Sequence, residues 1–127
     1  MNKTVSRIIS VVLVVGLMAI SATFLIIYRD VKKVCIKARS QYKENCPNSL
    51  IKTIQSENVT SREKNSAIWA LGQLADKNSL EFLYELNKSL PDQKRCDYNK
   101  HLCKYGVEKA IQWCEKGNIT NWMYKAL

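Results

Sequence analysis

The sequence predicts an all-α protein, laid out as one membrane-length helix followed by two pairs of shorter helices. Three observations carry this reading. An uncharged apolar run opens the chain, apolar residues recur every three or four positions through most of the rest, and no stretch alternates long enough to mark a strand. The implied organisation is a tail and transmembrane anchor over 1–28, a basic amphipathic juxtamembrane stalk over 29–44, and a helical domain over 45–127. At 127 residues the chain has room for one small domain beside such an anchor.

The apolar run extends from Ile8 to Tyr28, 21 residues without a charge. At about 1.5 Å of rise per residue it spans roughly 30 Å, the thickness of a bilayer's hydrocarbon core. Lys3 and Arg7 precede it, Arg29 and Asp30 follow it, and Tyr28 sits where an interfacial aromatic anchors a span. A cleaved signal peptide is the competing reading, with Ala19-Ile20-Ser21 as a loose cleavage site. Against it, the run continues through Phe24, Leu25, Ile26 and Ile27, past the point where a polar region should begin. The expectation is a single-pass membrane protein.

A net charge of +9 suggests nucleic acid until its distribution is followed. Residues 1–7 carry +2 and residues 44–127 carry +2, whereas Arg29, Lys32, Lys33, Lys37, Arg39 and Lys43 against Asp30 put +5 beside the span. A cluster there attracts anionic lipid head groups by about 1 kcal/mol per basic residue near the surface. Nucleic-acid binding would need a basic stripe on the folded domain, and none stands out.

Val31, Val34, Cys35, Ala38 and Tyr42 recur at helical spacing, so the helix is expected to continue beyond the span. Asn45-Cys46-Pro47 ends it, and Pro47 suits the first turn of a new helix. Thr60-Ser61-Arg62-Glu63 has the form of a capping box, followed by an apolar face of Ala67, Ile68, Leu71, Leu74 and Ala75. Asn78-Ser79 opens the next helix, whose Leu80, Leu83, Leu86 and Leu90 repeat the pattern before Pro91. The last helix is predicted from about Asn99 to Lys116, with Gly117 as terminator.

The helical region shows traces of self-similarity. Asn48-Ser49-Leu50 recurs as Asn78-Ser79-Leu80, and Ala67-Ile68 recurs as Ala110-Ile111 in the following helix, the second copy carrying an insertion around Cys96. The run from Lys64 to Asp76, continued through Ser79 to Leu83, resembles the HEAT repeat at Lys64, Ala67, Ala70, Leu71, Gly72, Asp76, Leu80 and Leu83. In the second copy Trp113, Cys114 and Glu115 replace the Ala-Leu-Gly signature. The resemblance implies a short α-solenoid of two degenerate helical hairpins with a binding role. Because stable stacks usually need three or more repeats, something must compensate: disulfides, capping by the stalk and by Thr120 to Leu127, or self-association.

Five cysteines bear on this. Cys103, Val107, Ala110 and Cys114 share one helical face, and about 16 Å of axis between the two sulfurs forbids a direct bond, which needs α-carbons within about 7 Å. Cys96, His101 and Cys103 form the one compact cluster, but three ligands at this spacing fall short of the four of a closed zinc site. As staples, Cys96 can fold back on Cys103, and Cys46 could reach Cys114 if the hairpins stack, leaving Cys35 free or joined to another chain. The alternative is that all five are reduced and buried as small apolar residues. Topology is entangled with this. Six basic residues after the span against two before it favour a cytoplasmic domain, whereas disulfides require an oxidising compartment. The short basic tail and the cysteine density tilt the expectation to an extracytoplasmic domain.

Paired carboxylates, a nucleophile with its base, and a glycine-rich phosphate loop are all lacking, so no enzymatic activity and no cofactor are expected. Trp69, Trp113, Trp122 and Tyr124 supply aromatic surface of the kind enriched at protein interfaces, unless they seal an undersized stack. The function expected is therefore a membrane-tethered adaptor that meets the bilayer and a protein partner, or itself. The alternative is a small extracytoplasmic thiol or metal-binding protein using Cys96, His101 and Cys103.

Overall fold

A computed structural model describes residues 3–93 and 95–127 of the chain. Among them are five α-helices: α1 (Lys3–Tyr42), α2 (Cys46–Gln55), α3 (Ser61–Leu74), α4 (Leu80–Ser89) and α5 (Lys104–Lys116). Short 3-10 turns fall at Lys77–Ser79 and Asn121–Tyr124, and the described residues include no strand. The all-helical class expected from the periodicity is what the chain adopts. The chain divides into two compact units, Met1–Asp30 and Val31–Leu127.

In the first unit α1 is apolar on every side. Its most apolar window has a mean hydropathy of 2.6 and is not buried at all within the protein, so this helix is long and apolar enough to cross a membrane. Its few hydroxyls do not point idle: Ser10, Ser21 and Thr23 each donate to the carbonyl four residues back, at 2.9–3.0 Å. Satisfying a polar group within its own helix is what hydrocarbon surroundings demand.

The second unit begins with the end of α1, whose Val31, Cys35 and Ala38 are buried on one stripe. Lys43, in the left-handed region at φ 57°, ends that helix. Asn45 caps the next one, its side chain accepting the Asn48 amide at 3.0 Å, with Pro47 in the first turn. Thr60 caps α3 by accepting the Glu63 amide. α3 lies at the centre, packed between α2 and α5, and α4 rests on α5. The core is drawn from Leu50 and Ile54 of α2, Ala67, Ile68, Ala70 and Leu71 of α3, Leu83 of α4, and Val107, Ala110 and Cys114 of α5. Small residues set the α3–α5 distance. A β-carbon added at Gly72 would stand 2.9 Å from the Ala110 α-carbon and 2.7 Å from the Trp113 ring, closer than real β-carbons come.

Three expectations need correction. The last helix starts at Lys104 rather than near Asn99, because residues 95–103 form an irregular segment held by side chains of other elements. The leucine stripe of α4 is only partly used, since Leu83 is fully buried while Leu80, Leu86 and Leu90 are half-buried. Cys46 does not meet Cys114. It bonds Cys35 across the α1–α2 corner, α-carbons 5.2 Å apart, and Cys114 is left as a free, buried thiol. The amphipathic stripe of the supposed stalk brings Cys35 into the core beside the start of α2, a position that sequence spacing along α5 could not reveal.

Candidate functional site

A groove of about 370 Å³ lies between α3, α5 and the segment before α5. Trp69 and Trp113 form part of its wall, joined by Tyr98 and Tyr105. Trp69 reaches it because it lies one step off the buried stripe of α3, and Trp113 because Gly72 lets its ring lie close against that helix. Both tryptophans are half-buried, while Tyr98 and Tyr105 remain 51% and 64% exposed. Large aromatic surface in partial contact with water is therefore concentrated on one face of the second unit.

The segment carrying Tyr98 makes only a local turn, in which the Asp97 carbonyl accepts the Lys100 and His101 amides at 3.0 Å, and several of its other carbonyls are met by side chains. Asn65, buried in α3, donates to the carbonyls of Tyr98 (3.0 Å) and His101 (2.7 Å), and its Oδ1 accepts the Cys103 amide at 3.0 Å. Ser61 donates to the Lys100 carbonyl and Gln93 to that of Leu102, each at 3.1 Å. A disulfide between Cys96 and Cys103, α-carbons 5.6 Å apart, closes the segment. This is the one bridge that the spacing suggested and the structure contains. A loop so tied presents its aromatic side chain with little entropy left to lose on binding.

The disulfide also bears on metal binding. Two of the three members of the Cys96, His101, Cys103 cluster are bonded to each other, and a metal requires thiolates. Among the described residues no group of three or more histidine, cysteine or acidic side chains could hold a metal ion. His101 is exposed in the segment before α5 rather than in the first turn of that helix.

The other aromatic residues singled out in the sequence lie elsewhere. Trp122 is 62% exposed in the last 3-10 turn, outside the groove. Tyr124 is buried, and with Cys46, Pro47 and Leu74 it lines a separate cavity of about 340 Å³. The C-terminal turn is fastened to α3 by Thr120, which donates to Gln73 Oε1 at 2.7 Å, and by Asn118 at 3.2 Å on the same oxygen. The basic residues Arg29, Lys32, Lys33, Lys37, Arg39 and Lys43 are all exposed. Lys37 pairs with Glu63 on α3, and Arg39 donates to the Leu127 carbonyl at 3.5 Å.

Cys114, free but fully buried, donates weakly to the Leu71 carbonyl at 3.8 Å. Burial pushes its thiol up to about 11, which leaves no appreciable thiolate at neutral pH. It serves packing rather than redox chemistry.

Tyr98, Tyr105 and Asn65 are the residues that sequence reasoning passed over. Asn65 carried a signal: it stands three before Ile68 and seven before Gly72, a polar residue on the buried stripe of a helix. No known protein family, curated protein or solved structure matches the chain.

Proposed function

We propose that this chain is a single-pass membrane protein whose helical domain lies outside the cytoplasm and docks a protein partner. On this reading the domain is a short HEAT-like stack, with α2–α3 and α4–α5 as its two hairpins, and it acts by binding rather than catalysis. The observation that carries the proposal is the convergence of Trp69, Trp113, Tyr98 and Tyr105 on one preorganised groove. Aromatic anchors in such grooves account for most of the affinity of many interfaces.

Supporting features sit at each level. Ala67-Ile68 and Ala110-Ile111 are buried at matching places in the second helix of each pair, and Ser49 and Ser79 are fully buried near the start of the first. The ends of a two-hairpin stack need covering, and Val31, Cys35 and Ala38 at one place and Thr120 and Tyr124 at another contribute buried surface. Two disulfides favour an oxidising compartment. An apolar stretch near the amino terminus, none of which is buried within the protein, favours a membrane anchor.

The test is recovery of bound protein from detergent-solubilised native membranes, comparing wild type with Tyr105→Ala and with Trp69→Ala. Tyr105 is exposed, so its removal leaves the fold intact, and loss of an anchor should weaken binding by roughly tenfold or more. Trp122→Ala serves as a control and should recover the partner unchanged. Recovery indifferent to both groove variants would sink the docking assignment. For the compartment, intact-mass analysis after alkylation of the denatured chain should add one label without reductant and five with it. Five labels without reductant would place the domain in a reducing compartment.

A further inference from the structure

The charge around the groove narrows what it can hold. Four aromatic rings by themselves suit either an apolar anchor or a cation, because the face of each ring is electron-rich. The cationic place is already taken: Lys109, which lines the groove, holds its Nζ 5.7 Å from the centroid of Tyr105. Among the described residues no carboxylate lines the groove. Its polar lining is also committed internally, Asn65 to the preceding segment and Ser66 to the Arg62 carbonyl at 3.0 Å.

Two further cations fall on the same stripes. Arg62 stands one turn before Ser66 on α3, angularly between Ser66 and Asn65, and Lys116 stands three residues after Trp113 on α5, about two turns beyond Lys109 on the same stripe. Neither belongs to an ion pair among the described residues. The acids of these helices are turned to other tasks. Glu63 pairs with Lys37, Glu115 accepts from the Tyr84 hydroxyl, and Glu108 falls about 60° outside the α5 stripe at 3.6 residues per turn. On the segment before α5, Asp97, next to Tyr98, pairs with Lys100 at 3.6 Å, so the flanks carry a positive excess around an aromatic floor.

We infer that the groove's occupant is an acidic peptide segment. An aromatic or aliphatic side chain enters against Trp69 and Trp113, and carboxylates on either side of it meet Arg62, Lys109 and Lys116. A lysine- or arginine-rich segment, which an aromatic cage would otherwise welcome, meets three like charges instead. This inference rests on the docking role proposed above and gives the partner its chemistry.

The experiment uses the full chain in neutral detergent micelles and follows its intrinsic tryptophan emission. The probes are two synthetic pentapeptides without tryptophan, acetyl-Glu-Glu-Phe-Glu-Glu-amide and acetyl-Lys-Lys-Phe-Lys-Lys-amide. The acidic peptide should saturate the signal and bind about tenfold or more tightly than the basic one, since like charges facing each other are strongly selected against. Raising ionic strength from about 0.05 M to about 0.5 M should weaken it several-fold. Lys109→Glu should shrink or reverse the preference, and Tyr105→Ala should weaken both peptides.

Equal affinity for the two peptides, no saturable binding of the acidic one, or a preference untouched by Lys109→Glu would overturn the inference. Partner recovery separates this failure from the larger one. If recovery depends on Tyr105 while the peptides show no charge preference, docking stands and the acidic partner falls. If recovery ignores the groove altogether, both fall.

Discussion

The two hairpins of the second unit reach similar packing by different means. In α2–α3 both helices start from side-chain caps, Asn45 and Thr60, and the connection is short. Buried residues are spread along both helices. In α4–α5 the first helix contributes a single fully buried side chain, Leu83, and the second starts at Cys103 without a side-chain cap. The long connection between them is held by a disulfide and by Asn65, Ser61 and Gln93. One hairpin is specified locally. The other borrows its order from its neighbour and, in exchange, carries the aromatic groove on the borrowed segment, where binding residues are commonly found.

The contact most able to break this arrangement is the one both hairpins share. Gly72→Val would drive a branched side chain into the Ala110 backbone, and backbone cannot rotate away as a flexible side chain can. The expected cost is about 3 kcal/mol, at the upper end for overpacking. For a unit of this size the midpoint of thermal unfolding, followed by circular dichroism of the micelle-bound chain, should fall by more than about 12 °C. Gly106→Ala is the counterpart. Its β-carbon would meet nothing nearer than the Cys103 β-carbon at 3.9 Å, so better helix propensity should leave stability unchanged or raise it by about 0.5 kcal/mol. Equal losses at both glycines would mean that the close approach of α3 and α5 does not hold the hairpins together.

The same contrast decides what was legible in the sequence. Caps, periodicity and the membrane-length run are local signals, and they located α1, α2, α3 and α4 from Pro47, Thr60, Ser79 and Pro91 without knowledge of the fold. The start of α5 lies later than the predicted Asn99 because Asn99 to Cys103 read as the opening of that helix, while the backbone at His101 and Cys103 is tied to Asn65, more than thirty residues away. The cysteines divide in the same way. Cys96–Cys103 closes a separation of 7 residues and could be guessed, whereas Cys35–Cys46 depended on α1 turning its apolar stripe into the domain. At the groove, Trp69 and Trp113 could be singled out by type, but their meeting with Tyr98 and Tyr105 is a product of tertiary packing.

If the second hairpin truly depends on the first, removing one amide should loosen it selectively. Asn65→Ala leaves the Cys103 amide buried without an acceptor and frees the Tyr98 and His101 carbonyls. The expected cost is about 2 kcal/mol, the penalty of one unsatisfied buried donor plus lost hydrogen bonds. Hydrogen exchange should rise first in residues 95–107 while α2 and the first half of α3 stay protected. Uniform acceleration throughout the unit would instead make the two hairpins a single cooperative block.

The smallest expected effect lies at the edge of the first hairpin, where Lys37 of α1 meets Glu63 in the first turn of α3. The Lys37 ammonium, by hydrogen bond and then by charge, outweighs partial burial and holds the Glu63 carboxyl below its ordinary 4.5. The Thr60 amide adds to this, so cap and ion pair cooperate on one carboxylate. A depressed carboxyl stabilises the folded state above its unfolded pKa, and that contribution is lost as pH falls through the folded value. Both side chains are well exposed, at 69% and 41%, so solvent screening limits the pair to at most about 0.5 kcal/mol. The stability difference between wild type and Glu63→Gln should accordingly be small and flat from pH 7 to about 5, then shrink as pH drops below about 4.5. A difference that grows on acidification would show that the carboxylate is destabilised by its surroundings and that α3 starts well without it, leaving Thr60 as the sole cap of the better-specified hairpin.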